Sequence, residues 1–120
     1  MPRHRIVWFD LPVRDLGRAM VFCRAVPDVA IEEAYAGVGV IESESGDVSG
    51  CLYVDEERVG SDGPLLYFNV DGRLSTAVAA VAAGGGLVEE PPQSIGEHGI
   101  RTVVRDIDGN RIALHAASDD

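Results

Sequence analysis

The sequence predicts an α+β fold of two βαβββ repeats that form a cupped mixed sheet around a central cavity. Three observations predict it. A strand-then-helix phrase occurs twice, with Val13 and Val70 in corresponding places 57 residues apart. Three short extended segments follow each occurrence. The chain has 120 residues, 46% of them hydrophobic, which suits one domain with its own core. That domain takes residues 1–120, with repeat one at about 1–57 and repeat two at about 63–117.

In the first strand Val7, Phe9, Leu11 and Val13 alternate with Trp8, Asp10 and Pro12, the period of two of a strand with one packed face. Asp15 can cap a helix whose apolar positions Leu16, Ala19, Met20 and Cys23 follow the i, i+3, i+4, i+7 pattern and which ends before Pro27. Strands follow at about 31–35, 37–42 and 49–55, with turns around Ala36 and at Ser45, Gly46 and Asp47. The phrase returns as Leu66, Phe68 and Val70 alternate with Leu65, Tyr67 and Asn69. Asp71 then precedes a helix that carries Leu74, Ala77, Val78 and Val81 in register. Ala79, Ala80, Ala82 and Ala83 favour that helix, and Gly84, Gly85 and Gly86 stop it. The last strands are expected at 87–90, 98–105 and 110–116, broken by Pro91 and Pro92 and by Asp108, Gly109 and Asn110.

Each half alone exposes one face of its sheet and becomes stable by burying it against a copy. The apolar parity of each opening strand suits its helix, which turns Trp8, Asp10, Tyr67 and Asn69 toward whatever the sheets enclose. A mixed aromatic and polar lining is the composition of a small-molecule cavity.

Two stretches carry a family resemblance: Phe9-Asp10-Leu11-Pro12-Val13-Arg14-Asp15-Leu16-Gly17-Arg18-Ala19 and Arg105-Asp106-Ile107-Asp108-Gly109-Asn110-Arg111-Ile112-Ala113-Leu114. They resemble the signature stretches of the vicinal oxygen chelate superfamily, which includes glyoxalase I, extradiol dioxygenases, fosfomycin-resistance enzymes and bleomycin-resistance proteins. The resemblance covers essentially the whole chain and implies a glyoxalase/bleomycin-resistance-like fold; it specifies fold far better than function. It also implies a homodimer, and a divalent metal held by His, Glu or Gln on the first and last strand of each half. Those positions here hold Trp8, Leu65, Ala113 and a residue within 50–52, where no strong oxygen or imidazole donor stands. An indole, aliphatic groups and a methyl cannot replace water around a cation. The expectation is therefore no metal and no cofactor. A further departure is Cys23, where a tyrosine is common in the family.

Among the candidate site residues, Trp8 reads either as a stacking platform for a flat ligand or as core that fills the vacated metal position. Asp10 reads as general base, counter-ion or a solvated carboxylate. His115, two residues beyond Ala113 on the same parity, reads as acid/base or as a hydrogen-bonded structural histidine. Asp10 and His115 are thus the catalytic candidates. Tyr67, Asn69 and Tyr53 can orient a ligand by hydrogen bonds, with Leu65 and Ala113 beside them. His4 and His98 lack partners at ligand spacing and read as surface residues. Turn chemistry accounts for Asp106 and Asp108. Cys23 and Cys51 are too few for a disulfide framework and read as small core or pocket residues.

Composition removes other classes. Twenty acidic against ten basic residues give a net charge of −10, scattered along the chain. Affinity for nucleic acid comes mainly from counterion release by Lys and Arg, and an acidic membrane surface repels such a chain. Neither a secretory apolar run nor a segment approaching about 20 apolar residues occurs, so a cytoplasmic protein is expected. Two functions follow: binding of a small organic molecule without chemistry, of the sequestration or resistance type, or a lyase, isomerase or dioxygenase-type enzyme working through Asp10, His115 or an unrecognised metal site.

Overall fold

A computed structural model describes residues 6–43 and 48–118. Its order is β1 (Trp8–Val13), α1 (Leu16–Ala25), β2 (Ile31–Tyr35), β3 (Val38–Ile41), β4 (Ser49–Val54), β5 (Leu66–Asn69), α2 (Leu74–Ala83), β6 (Leu87–Ser94), a 3-10 turn (Gly96–His98), β7 (Ile100–Arg105) and β8 (Arg111–Ala116). Two four-stranded mixed sheets result, ordered β1-β4-β3-β2 and β5-β8-β7-β6. In each, the opening strand runs parallel to the last and the other neighbours are antiparallel. The α+β architecture of two βαβββ units read from the sequence is therefore the one observed.

Helix α1 starts where Asp15 accepts the Arg18 N–H at 3.0 Å, satisfying one of the donors a helix start leaves orphaned. It buries Leu16, Ala19, Phe22 and Cys23. Phe22 (2% exposed) is a buried position that the apolar count leaves out, while Met20 packs half-buried against the core. Against α1 lie Gly39 and Ile31 of the first sheet, because a Cβ on Gly39 would touch Met20, Leu16 and Ile31. Helix α2 buries Leu74, Ala77 and Val81 over the second sheet.

One hydrophobic cluster runs through both units, from Leu11, Val13 and Leu52 to Val70, Val104 and Leu114. Where the opening strands approach, Phe9 meets Phe68 edge-on at 5.8 Å between ring centres. Polar bonds lock the same seam. The Asn110 amide donates to Pro12 O at 2.6 Å, the Arg14 N–H to Asp108 Oδ1 at 2.8 Å, and the Arg73 guanidinium to Val26 O at 2.6 Å. The last of these satisfies a carbonyl at the end of α1 with a cation from the other unit, where the helix dipole favours one.

Several boundaries differ from expectation. Val7 does not pack under α1: it precedes β1 and is 70% exposed, because the pairing with β4 begins only at Trp8 opposite Ser49. Strand β6 continues through Pro91 and Pro92 to Ser94, since it is an edge strand whose register shifts twice and needs no N–H from either proline. Strand β7 begins at Ile100, with His98 in the 3-10 turn before it. The N-cap of α2 is Arg73; Asp71 instead accepts the Ala117 N–H at 2.6 Å. Only Gly85 of the glycine run following α2 is left-handed, at φ 91°, whereas Gly86 is required by space: a Cβ there would lie 2.5 Å from Arg105 O. The expected turn at Ser45, Gly46 and Asp47 and the residue His4 lie outside the described residues.

Candidate functional site

Strand pairing decides which side chains share the face turned away from the helices. In the first sheet Asp10 pairs with Cys51 and Pro12 with Tyr53, while Val40 stands opposite Cys51, so these residues occupy one face together with Trp8. In the second, Tyr67 pairs with Ala113 and Asn69 with His115; Arg101 stands opposite His115 and Arg111 opposite Arg105. These two surfaces are the inner faces of the cup.

On the first surface Asp10 is the hub. Its Oδ1 accepts the Trp8 indole N–H at 3.0 Å and the Cys51 thiol at 3.1 Å, leaving Oδ2 to accept from elsewhere. Burial pushes the Cys51 thiol up to about 11, helped by its bond to the Asp10 carboxylate, so Cys51 serves as a donor rather than a nucleophile. Trp8 remains 47% exposed, which removes the reading of it as core filling a vacated site.

The second surface carries an ion-pair ladder. Glu89 accepts from Arg105 and from Arg111, and Glu90 from Arg111 at 2.9 Å and Gln93 at 2.7 Å. Hydrogen bonds from Arg111 and then Arg105 hold Glu89 below the usual carboxylate range; bonds from Gln93 and Arg111 do so for Glu90. Arg101 donates to the Tyr67 hydroxyl at 2.6 Å. His115 Nε2 lies 2.5 Å from the carbonyl of His98, an atom that can only accept, so Nε2 carries the hydrogen, and the tautomer this selects has Nδ1 as its lone-pair acceptor.

Two of the clefts on these surfaces hold the candidate residues Asp10 and His115. One of about 250 Å3 bridges the sheets and is lined by Asp10, Pro12, Arg58, Asp62, Asn110 and Arg111, among others. The other, about 480 Å3 and open, is lined by Tyr67, Asn69, Ile95, His98 and His115. The structure thus brings together Trp8 with Asp10, and Tyr67 with Asn69 and His115. It separates Asp10 from His115, which line different clefts. Ala113 is 0% exposed beneath its neighbours and offers a ligand no surface, contrary to expectation. Leu65 precedes β5 and lines neither of these clefts, and Tyr53 shares the inner face of β4 without lining either. Cys51, expected as a core or pocket residue, joins the site as a donor to Asp10, whereas Arg101, Arg111, Glu89 and Glu90 are site residues that the sequence pattern does not single out. Alternation along 101–105 and 111–115 was the available signal, because it sets Arg101, Arg105 and Arg111 on the parity of Ala113 and His115.

The positions at which the resemblance implies metal ligands hold Trp8, Leu65, Ala113 and a residue within 50–52, of which Cys51 shares the inner face. Among the described residues no group of three or more His, Cys, Asp or Glu side chains is placed to hold a metal ion. One exposed carboxylate beside a protonated thiol, an indole and two aliphatic groups do not fit a divalent cation.

Solved structures give the fold its class. A glyoxalase-related enzyme from Fulvimarina pelagi superposes with a TM-score of 0.74 at 15% identity, over 94% of this chain and 88% of that one. A glyoxalase/bleomycin resistance protein from Albidiferax ferrireducens T118 gives 0.75 at 22% identity, over 94% and 99%. A fosfomycin resistance protein from Mesorhizobium loti gives 0.70 at 20%, over 97% and 93%. No family model matches the sequence, and no curated protein matches it. The chain has the fold of these glyoxalase/bleomycin-resistance structures.

Proposed function

We propose that this protein binds a small organic molecule on the inner face of its cup without a metal ion, as a sequestration or resistance protein acting in the cytoplasm as a homodimer. The observation that carries the reading is the corner of Trp8, Asp10 and Cys51. A superfamily ligand position holds an exposed indole whose N–H is fixed on a carboxylate, which makes a stacking surface with an acceptor at its edge. Charge narrows the ligand. Each described arginine is already engaged by a carboxylate or a carbonyl, among them Arg58 with Asp55 and Arg111 with Glu89, and the chain carries −10. A neutral or cationic flat molecule is therefore favoured over an anion. No described helix is long and apolar enough to cross a membrane, which fits a partner taken from solution.

The test begins with elemental analysis of the purified protein, then follows its melting temperature across a library of neutral and cationic aromatic compounds. A ligand at 100 times its Kd stabilises the folded state by about 2.7 kcal/mol, and Trp8→Ala should remove that gain without unfolding the chain. Stoichiometric, tightly held metal would sink the proposal. A second reading, an acid/base lyase or isomerase, is favoured by the free Nδ1 of His115. It expects His115→Gln or Asp10→Asn to keep binding and lose turnover.

A further inference from the structure

We propose that the cleft lined by Tyr67, Asn69, Ile95, His98 and His115 is a subsite for a neutral carboxamide or lactam group, a planar unit that offers a carbonyl acceptor next to an N–H donor. The proposal deepens the small-molecule reading of the cup and rests on it.

The argument is one of hydrogen-bond capacity already spent. Three polar side chains line this cleft on one sheet face, and each has one end committed inside the protein. Asn69 Oδ1 accepts the Asp71 N–H at 2.8 Å, which fixes the amide orientation and leaves both Nδ2 hydrogens as its uncommitted donors. The Tyr67 oxygen accepts from Arg101 at 2.6 Å, which leaves its O–H to donate. His115 Nε2–H is spent on the His98 carbonyl, which leaves Nδ1 to accept. The cleft thus presents donors at Tyr67 and Asn69 and an acceptor at His115.

Spacing and shape agree. Asn69 and His115 are direct partners on adjacent parallel strands, which lie about 4.8 Å apart, so both side chains leave the same face of the sheet and line the same cleft. A carboxamide laid across them receives a hydrogen bond at its oxygen and donates one from its nitrogen. The Tyr67 and His115 rings, inclined at 65° with centres 6.3 Å apart, and Ile95 supply apolar walls for a flat group. Arg101, the guanidinium beside these residues, also faces Glu90 at 3.5 Å, so a carboxylate in place of the amide meets no unpaired arginine, and its second oxygen finds no donor in the Nδ1 lone pair of His115.

The experiment uses the isotope-labelled full chain with benzamide, acetophenone and benzoate as probes, read by NMR at the Asn69 side-chain amide, the His115 ring and the Trp8 indole. Benzamide should shift the Asn69 and His115 signals, and acetophenone, which lacks the N–H, should bind about tenfold more weakly, the worth of one net hydrogen bond. Asn69→Asp keeps the oxygen that holds Asp71 N but deletes the donor, and should weaken benzamide by a similar factor; Tyr67→Phe is a second, near-isosteric check. Equal affinity for benzamide and acetophenone, tighter binding of benzoate, or no shift at Asn69 and His115 up to the solubility limit of benzamide overturns the subsite. Shifts confined to Trp8 overturn it while leaving the broader reading intact; if the aromatic library also fails to stabilise the protein, the broader reading falls as well.

Discussion

At the scale of single residues, Asp10 and Cys51 show how a local environment sets chemistry. The thiol is raised first by burial and then by the carboxylate it donates to, so Asp10→Asn removes the electrostatic part and leaves the burial. Alkylation of Cys51 by iodoacetamide at mildly alkaline pH should therefore run faster in Asp10→Asn than in the native chain. Cys23, pushed up to about 12 by burial inside the α1 core, should stay unreactive in both. Rates that do not change would mean that the carboxylate does not act on the thiol. Packing is equally local: a Cβ on Gly50 would lie 2.6 Å from the Phe9 ring and from Phe9 O, so Gly50→Ala should cost roughly 1 to 3 kcal/mol in denaturant unfolding. Alternation in 7–13 was enough to put Trp8 and Asp10 on the inner face, because side-chain direction in a strand follows from its period of two. The bond of Cys51 to Asp10 was not legible, because it depends on the parallel pairing of β1 with β4, a contact between residues 41 positions apart.

At the scale of elements, apolar periodicity located both helices and the strands that pair with them, whereas β6 escaped because Pro91 and Pro92 break a strand signal without breaking an edge strand. Beside its backbone pairing with β7, β6 is tied down by the ladder of Glu89 and Glu90 with Arg105, Arg111 and Arg101 across β7 and β8. Both carboxylates titrate below their ordinary value in the folded state. The stability they contribute is therefore complete above the unfolded glutamate value of about 4.3 and is lost as pH falls through the lower folded value. Asp106 runs the other way. Burial raises it against the bonds from Asn110 and Asp108, so its ionisation costs stability as pH rises, and acid relieves that cost. Acid loosening should thus begin in β6. The protection of the β6 and β7 amides, their hydrogen exchange taken relative to the intrinsic rate at each pH, should fall between pH 5 and the range below about 4, and Glu89→Gln should show lower protection already at neutral pH with less further loss on acidification. The exposure of these pairs keeps the effect modest and sensitive to salt. An acid response of unchanged size in Glu89→Gln would assign it to other groups.

At the scale of the whole molecule, the repeat was legible but the seam was not. A period of 57 residues announces two units, yet it does not say how they dock. Docking depends on Arg14, Arg73 and Asn110, polar residues that any turn or helix end would accommodate, and on the Phe9–Phe68 contact at the two opening strands. Because one hydrophobic cluster spans both units, neither can unfold without exposing the other's core, and the native chain should unfold in one step. Asn110 is the test of that coupling. It is 3% exposed and joins three segments: its amide donates to Pro12 O and to Asp106 Oδ2, and its oxygen accepts the Gly60 N–H at 3.1 Å. Asn110→Ala strands a buried carbonyl on β1 and a backbone N–H in the connecting segment, at a cost of roughly 2 to 4 kcal/mol. In urea, Trp8 fluorescence, which reports the first unit, and far-ultraviolet circular dichroism, which reports both, should give coincident curves for the native chain. In Asn110→Ala both curves should move to lower urea, and if the seam is what couples the units they should also separate, since the shared core then has fewer bonds holding its halves in register. Two separate transitions in the native chain would refute a common core, and an unshifted midpoint in the variant would show that the seam contributes nothing that the Phe9–Phe68 contact does not already supply.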